Sequence, residues 1–314
     1  MALSPALASE HLTLVLNWVP GADHAPFFFA LRQGWYAEAG IALAIDSVAG
    51  SPQAVKRAAA DTDTLAVADF VSYLRVRGNL PETSAIMALQ PHSPYAIYFS
   101  ADSGIRRVQD LAGKRIAAQA QDPMRKLWQP LAQRHGVAAG SVTWVERANP
   151  AKPDALAAAE SDAAFNPFLH NHLNYAAVLG ARMRVLWWHE LGFAAYGHVL
   201  VASRESLERA PERFRSFVAM TQRAWAHCLA DAAPCIDALL AEHPQLDRAR
   251  EEEVWKLVAR IHRASPSPDR TLGAFDAGRV ERTLQDLDTA FSVSSGAANA
   301  TDNAFLDRRI RAMP

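Results

Sequence analysis

The clearest structural pattern lies in residues 11–48, which read HLTLVLNWVPGADHAPFFFALRQGWYAEAGIALAIDSV. The first eight alternate apolar and polar side chains and predict a strand, which Pro20-Gly21 ends. Residues 24–36 have helical character, Gly40 closes that helix, and residues 41–48 predict a second strand. Strand, helix and strand in this order are typical of a sheet with parallel strands and helices packed on its faces.

The same pattern continues along most of the chain. Further strands are predicted at residues 64–68, 84–89, 95–100, 115–118, 142–146, 163–165, 185–188 and 197–203. From Glu205 onward the sequence is almost wholly helical. Two successive α/β blocks followed by helices predict two lobes with a cleft between them, each lobe a sheet flanked by helices. We expect a discontinuous first lobe of residues 11–95 plus 200–314 and a second lobe of residues 96–199.

Length and composition limit the possible functions. The 314 residues are 50% hydrophobic and 21% charged, which is typical of an ordinary globular protein of about two domains. Lys and Arg total 32 against 33 Asp and Glu, so the chain lacks the basic surplus of a protein that binds nucleic acid through phosphates. No apolar run approaches the ~20 residues of a transmembrane helix.

The two cysteines say little about the redox compartment, and the N-terminus leaves the location open. Cys228 and Cys235 lie seven apart in a helical-looking segment that Pro234 interrupts, and we expect two small buried side chains rather than a bridge. Residues 1–9, MALSPALAS, lack the basic start and apolar core of a secretory signal. The protein is therefore cytoplasmic, or a signal has been removed, or the first residue is internal to a longer precursor.

Ligands of open α/β sheets bind at the carboxyl ends of the strands, and this rule selects candidate binding residues. The selected residues are Asn17, Trp18, Ser51, Asp69, Gln90, Asp122, Asn166 and Glu190. No G-x-S-x-G, Walker or G-x-G-x-x-G motif is present. His170 and His172 are two apart, a spacing that does not favour zinc, so we expect no metal site.

Several motifs, taken in order, resemble one family. Residues 16–20 (LNWVP), 34–41 (GWYAEAGI), 110–117 (DLAGKRIA) and 301–306 (TDNAFL) resemble solute-binding proteins for sulfonates, nitrate and thiamine-precursor pyrimidines. The resemblance spans His11 to Leu306. It implies a two-lobe periplasmic-binding-protein fold of type II that closes by hinge motion near residues 94–97 and 199–203.

Within that family, Asn17-Trp18, His24 and Glu190-Leu191-Gly192 most resemble the branch that handles pyrimidine precursors of thiamine. This branch includes fungal hydroxymethylpyrimidine synthases, which use pyridoxal phosphate on a lysine and donate a histidine. When Arg77-Gly78 is aligned with the Arg-Gly pair that follows the donor histidine of those enzymes, Ala66 stands at the position of the lysine and Phe70 at that of the histidine. Neither residue supplies an amine for a Schiff base. The cysteine-rich run of those enzymes is also missing after Gly192. We therefore expect a binding protein without cofactor or catalytic residues.

The candidate side chains suit a flat, nitrogen-rich ligand. Trp18 and Tyr196 offer stacking faces, and Asn17, Asn166 and Glu190 offer hydrogen bonds to ring and amino nitrogens.

Each of these residues also has a structural alternative. Trp18 would otherwise pack in the core, Asn17 would form an Asx turn, and His24 would cap a helix. Asp69 would be only an N-cap, and Glu190 a solvated acid. Ser51 and Asp122 lie at predicted helix N-termini, where anions bind, although the Asp122 carboxylate would oppose one.

These observations predict a solute-binding component of an ABC importer. Its expected ligand is a small nitrogenous heterocycle such as a formylated aminopyrimidine, with an aromatic or alkyl sulfonate as the second choice. Its expected partners are the permease and ATPase subunits of the importer; it is expected to be a periplasmic monomer that binds no nucleic acid. The alternatives are a cytoplasmic enzyme of pyrimidine or sulfur metabolism and a ligand-sensing domain.

Overall fold

A computed structural model describes residues 10–264, 270–291 and 299–312 of the chain. The N-terminal residues 1–9, on which the expectation about a leader depends, lie outside the described residues. The strands are β1 (Glu10–Leu16), β2 (Ile41–Ser47), β3 (Thr64–Asp69), β4 (Thr83–Ala88), β5 (Ala96–Ser100), β6 (Arg115–Ala118), β7 (Thr143–Glu146), β8 (Ala163–Asn166), β9 (Met183–Trp187) and β10 (His198–Ser203). Each of the ten predicted strands is confirmed, with ends within two residues of those expected.

Helices follow most of the strands, and most of the described residues after β10 are helical. They are α1 (Ala25–Arg32), α2 (Trp35–Glu38), α3 (Ser51–Ala60), α4 (Phe70–Val76), α5 (Pro123–Arg134), α6 (Lys152–Ala157), α7 (His172–Leu179), α8 (Arg204–Arg209), α9 (Pro211–Ala230), α10 (Ala233–Glu242), α11 (Arg248–Arg263) and α12 (Ala277–Phe291). Among the described residues, no helix combines the length and the apolar character that crossing a bilayer requires.

The chain divides into two compact units. Unit 1 contains the described residues of 10–91, 196–277 and 299–312, and unit 2 contains 92–195 and 278–291. Unit 2 thus includes most of α12, which the sequence analysis had assigned to the first lobe. The physical reason is polar contact: Arg134 of α5 forms an ion pair with Asp286 of α12 at 2.8 Å, and Arg279 donates to the carbonyl oxygen of Ala194.

The sheets of the two units have the same topology, because each has five strands and the fourth in spatial order pairs antiparallel with both of its neighbours. Unit 1 has the order β2-β1-β3-β10-β4, and unit 2 has β7-β6-β8-β5-β9. In unit 1, β1 pairs parallel with β2 and β3, whereas β10 pairs antiparallel with β3 and β4. In unit 2, β6 pairs parallel with β7 and β8, whereas β5 pairs antiparallel with β8 and β9. The predicted α/β fold with mixed sheets flanked by helices is confirmed.

Local sequence explains the central strands and the first helical segment. β3 reads TLAVAD and is buried at every residue but the last, as expected for a strand covered by helices on both faces. The helix predicted over 24–36 is instead two helices, α1 and α2. Gly34 separates them with a φ of +74°, a left-handed conformation that glycine adopts without steric cost.

The cysteine pair contradicts the expectation of two separate buried thiols. Cys228 and Cys235 form a disulfide whose Cα atoms are 5.8 Å apart. The prediction was wrong because the helical segment ends at Ala230 and restarts at Ala233, so the chain turns back on itself between the two cysteines. The disulfide therefore joins α9 to α10 across a tight turn in unit 1.

Candidate functional site

Unit 1 gathers polar side chains at one edge of its sheet. Asn17 follows β1, Asp69 ends β3 and Gln90 follows β4, and these three strands run in the same direction. β10 runs the other way, so its first residue, His198, lies at the same edge, in register with Asp69. Loop residues after a parallel strand and the first residue of an antiparallel one thus meet, at the edge where α/β sheets bind ligands.

The Asn17 amide is the centre of this cluster. Its Oδ1 lies 3.3 Å from Nε2 of His24, and its Nδ2 lies 3.2 Å from Nε2 of His198 and 3.3 Å from Oγ of Ser51. These contacts replace both structural alternatives of the sequence analysis, because Asn17 bonds across the sheet edge and the His24 side chain does not cap its helix. Both N–H groups of the amide are used inside the protein, which leaves one lone pair of Oδ1 for a ligand.

A carboxylate lies on the other side of the two imidazoles. Asp23 Oδ1 is 3.4 Å from Nδ1 of His24, and Asp23 Oδ2 is 3.3 Å from Nδ1 of His198. The two rings are nearly parallel, at 10°, with centroids 6.0 Å apart. Asn17 and Asp23 therefore hold the two imidazoles from opposite edges, which fixes both ring orientations.

Burial controls the charge of the second histidine. The pKa of His198 lies below its ordinary value, chiefly because burial disfavours the charged ring; Asp23 opposes this and His24 adds to it. His198 is therefore neutral at pH 7. Because Asn17 Nδ2 donates to its Nε2, the proton lies on Nδ1 and is donated to Asp23.

The remaining predicted residues of unit 1 tie this edge together. Ser51 Oγ accepts the backbone N–H of Asp69 at 2.9 Å, and Asp69 caps α4 by accepting the N–H of Ser72. Ser51 is the first residue of α3 rather than its N-cap, which is Gly50. Gln90 Oε1 accepts the N–H of His198 at 3.3 Å. The structure thus brings Asn17, His24, Ser51, Asp69 and Gln90 to one edge.

The two predicted stacking rings have opposite environments. Trp18, directly after Asn17, is 50% exposed, so the alternative of core packing is excluded. Tyr196 is only 1% exposed; its hydroxyl accepts the N–H of Asp276, and its ring packs edge-on against Phe70 and Phe275. The expectation that Tyr196 offers a free face is wrong, because the ring belongs to the core of unit 1.

In unit 2 a buried ion pair lies at the corresponding sheet edge. Asp122 caps α5 by accepting the N–H of Met124, and its Oδ2 lies 3.1 Å from Nζ of Lys152, which has no exposed surface. Nζ also donates to the carbonyl oxygen of Phe165 at 2.7 Å. Burial raises the pKa of Asp122 and lowers that of Lys152, and each partner opposes the shift of the other. Because Lys152 covers the acid, the pair is a structural element of this unit.

Asn166 and Glu190 also belong to unit 2. Asn166 is buried, donates to the carbonyl oxygen of Phe168 at 2.6 Å and accepts from Asn171 at 3.1 Å. The Glu190 side chain is 50% exposed, and its Oε1 lies 4.0 Å from Nε2 of His189. Asn166 therefore shapes its loop, whereas Glu190 has the exposure of the solvated acid that the sequence analysis kept as an alternative.

Sequence reasoning missed Asp23, His198 and Lys152. The strand-end rule considers only the carboxyl ends of strands, so it passes over His198, which enters the edge at the amino end of an antiparallel strand. Asp23 gave a usable signal, since it directly precedes His24. Lys152 gave none, because it begins a helix far along the chain from Asp122.

The strand order of the two sheets defines a class, the periplasmic-binding-protein fold. The chain is similar to the periplasmic aliphatic sulphonate binding protein SsuA from Escherichia coli, with a TM-score of 0.70, 16% identity, and coverage of 96% of this chain and 97% of that one. A putative periplasmic sulfonate-binding protein SsuA from Methylobacillus flagellatus KT also matches, with a TM-score of 0.70, 12% identity, and coverage of 95% and 93%. At these identities the likeness establishes the fold alone.

Sequence comparison gives the family. The NMT1/THI5-like family model matches residues 21–233, and the chain belongs to that family. A curated relative from Legionella pneumophila, named 4-amino-5-hydroxymethyl-2-methylpyrimidine phosphate synthase, is 23% identical over 297 residues and covers 92% of each chain. The family resemblance and the fold inferred from the sequence are thereby confirmed.

Proposed function

We propose that this protein is the solute-binding component of an ABC importer and that it binds a small nitrogenous heterocycle of the thiamine-precursor pyrimidine type. The structural neighbours named as sulfonate-binding periplasmic proteins support a binding role. The Legionella relative, named for an aminopyrimidine product, supports this ligand class. The proposal places the ligand at the edge of the unit 1 sheet.

The observation that carries the proposal is the exposed Trp18 beside a rigid polar cluster. An indole that is 50% exposed at the end of a buried strand offers a large flat apolar face to a ligand at this edge. A planar heterocycle stacks on such a face with a gain of roughly 1–3 kcal/mol per ring. The neighbouring cluster then supplies the hydrogen bonds that fix the orientation of the ring.

Charge favours a nitrogen-rich ligand over an anion. The Asp23 and His198 side chains keep 22% and 18% of their surface exposed, and Asp69 adds a second carboxylate at the same edge. Carboxylates accept hydrogen bonds from amino and ring N–H groups. They repel a sulfonate, which is why the sulfonate is the second candidate here.

Two buried residues favour binding over synthesis. Ala66 and Phe70, at the positions that the resemblance assigns to the lysine and the histidine of the synthases, are both fully buried in unit 1. Methyl and phenyl groups offer neither an amine nor a transferable nitrogen. This argument supports a protein that returns its ligand unchanged; an enzyme of the same fold is the rival.

The disulfide supports an oxidising compartment. Disulfides such as Cys228–Cys235 persist in the periplasm and are rare in the cytosol. We therefore place the protein in the periplasm, where it would work as a monomer with the permease and ATPase subunits of an importer. Fractionation of the source cells tests this, and recovery in the cytosol with free thiols would favour the cytoplasmic enzyme.

Calorimetry with a panel of formylaminopyrimidines, sulfonates and carboxylates tests the ligand class. We expect tight binding of an aminopyrimidine and recovery of the unchanged compound by mass spectrometry. Trp18→Ala should weaken binding by a factor of roughly 5 to 150, the equivalent of the stacking gain. Val19→Ala, at the adjacent residue with 64% exposure, is the matched control and should bind as the wild type does.

The outcomes are separable. Tight binding of only an aliphatic sulfonate would overturn the pyrimidine assignment. Unchanged affinity in Trp18→Ala would overturn the location of the ligand. Conversion of the pyrimidine to a new product would replace the binding role with an enzymatic one.

A further inference from the structure

Three donor side chains of unit 1 converge on a small volume. Asp23, His24 and His198 each offer one atom, and these atoms lie within 4.8 Å of one another. The carboxylate of Asp23 is 3.4 Å from Nδ1 of His24 and 3.3 Å from Nδ1 of His198. We propose that these three residues bind a divalent zinc-type cation.

The donor types favour zinc. Zn²⁺ binds imidazole nitrogen and carboxylate oxygen at about 2.0–2.2 Å and usually has four ligands. Nδ1 of His24 faces one oxygen of the Asp23 carboxylate and Nδ1 of His198 faces the other, and one ligand atom from each residue lies within 4.8 Å of the others. Three protein ligands leave a fourth position for water or a solute, as in catalytic zinc sites.

The local charge favours a cation. Asp23 and Asp69 both act electrostatically on His198, and Glu251 lies near enough to Asp23 for the two carboxylates to interact. Glu251 is itself positioned by accepting the N–H of Ala22 at 2.6 Å. A divalent ion between Asp23 and the two imidazoles would offset this concentration of negative charge.

Asn17 supplies the outer contacts of both histidines. A histidine that binds metal through Nδ1 carries its proton on Nε2 and donates it to an outer acceptor. Asn17 Oδ1 is such an acceptor for His24, at 3.3 Å, but its Nδ2 faces Nε2 of His198 at 3.2 Å. An amide satisfies one ring of the metal-bound state, whereas a carboxylate of the same shape would accept from both. Asn17→Asp should therefore bind the metal more tightly than the wild type.

Titration of the chelator-treated full chain with Zn²⁺ by calorimetry tests the site. We expect one ion per chain, with Co²⁺ giving the intense visible bands of a four-coordinate complex. His198→Gln should weaken zinc affinity by more than the factor of roughly 10 to 100 that removal of an outer hydrogen-bond partner costs. Asn17→Asp should increase zinc affinity about tenfold. His243→Gln removes a histidine of unit 1 outside the cluster and should bind as the wild type does.

The zinc titrations have outcomes that would overturn the proposed site. Absence of zinc binding to the wild type, or an equal loss in His243→Gln and His198→Gln, would show binding at other histidines or none. Should His198→Gln fail to fold by circular dichroism, Asn17→Asp decides alone, and weaker zinc binding in that variant overturns the proposal. The probe is the metal ion, so the outcome does not depend on whether the protein binds a pyrimidine.

Discussion

Acid should destabilise unit 1 through one buried histidine, His262 of α11. Its Nε2 donates to the carbonyl oxygen of Leu89 at 2.8 Å, and its ring stacks on Trp225 with centroids 5.0 Å apart. Burial lowers the pKa of His262 from 6.5 to about 4, although the bond to Leu89 opposes the shift. The ring is therefore neutral in the folded protein at pH values where the unfolded chain is protonated.

The sign and size follow from proton linkage. Above pH 6.5 the His262 ring is neutral in both the folded and the unfolded chain, so the fold keeps its full stability. As pH falls toward about 4, the unfolded chain binds a proton that the folded protein does not, and the free energy of unfolding decreases. At 1.36 kcal/mol per pKa unit, the whole loss is about 3 kcal/mol, of which about 2 kcal/mol has occurred by pH 5. Urea unfolding at pH 7.5 and pH 5 measures it as the change in the free energy of unfolding.

The variant His262→Gln isolates this effect. Glutamine keeps an N–H donor for the Leu89 carbonyl but does not titrate, so we expect its stability to fall by about 2 kcal/mol less than that of the wild type between the two pH values. Its stability at pH 7.5 will be lower because the packing on Trp225 is lost, but only the pH dependence is diagnostic. His11→Gln, at an exposed residue, is the control and should keep the wild-type profile. Parallel profiles of His262→Gln and the wild type would refute the reasoning.

Two further predictions concern stability. Lys152→Met leaves Asp122 buried without its ammonium partner and should lower the free energy of unfolding by about 3–5 kcal/mol, whereas Lys56→Met at an exposed position should change it little. Adding Asp122→Asn to Lys152→Met should recover part of the loss, and a double variant no more stable than the single one would contradict an ion-pair origin. Opening the disulfide with a reductant should cost about 2–3 kcal/mol in urea unfolding, and Cys228→Ser with Cys235→Ser should abolish the effect of the reductant.

Much of the fold could be predicted from local sequence. Each strand is a short apolar or alternating run bounded by glycine, proline or a polar residue, so a pattern with a period of two locates it. β3 and β8 are examples, because each ends at the polar residue, Asp69 or Asn166, that follows its apolar run. The disulfide was not predictable in this way, since the turn that brings Cys228 to Cys235 has no strong breaker before Pro234.

The candidate site was predictable only in part. The strand-end rule found Asn17, Ser51 and Asp69 because parallel strands deliver their carboxyl ends to one edge. It could not find His198, whose approach depends on an antiparallel strand inserted from far along the chain. Exposure is likewise a tertiary property: Trp18 and Tyr196 are both aromatic residues beside glycine or proline turns, yet one is 50% and the other 1% exposed.

The position of β10 also has a consequence for protein synthesis. This strand lies between β3 and β4 in the finished sheet, although the ribosome releases it long after both of them. Until it emerges, β3 lacks its neighbour on that side and β4 lacks the strand that joins it to the sheet, whereas unit 2 gains all five of its strands before β10 is made. Since chains fold in the order in which their parts become available, the sheet of unit 2 should form before that of unit 1. Asn17 must therefore wait for His198 before the polar cluster can assemble.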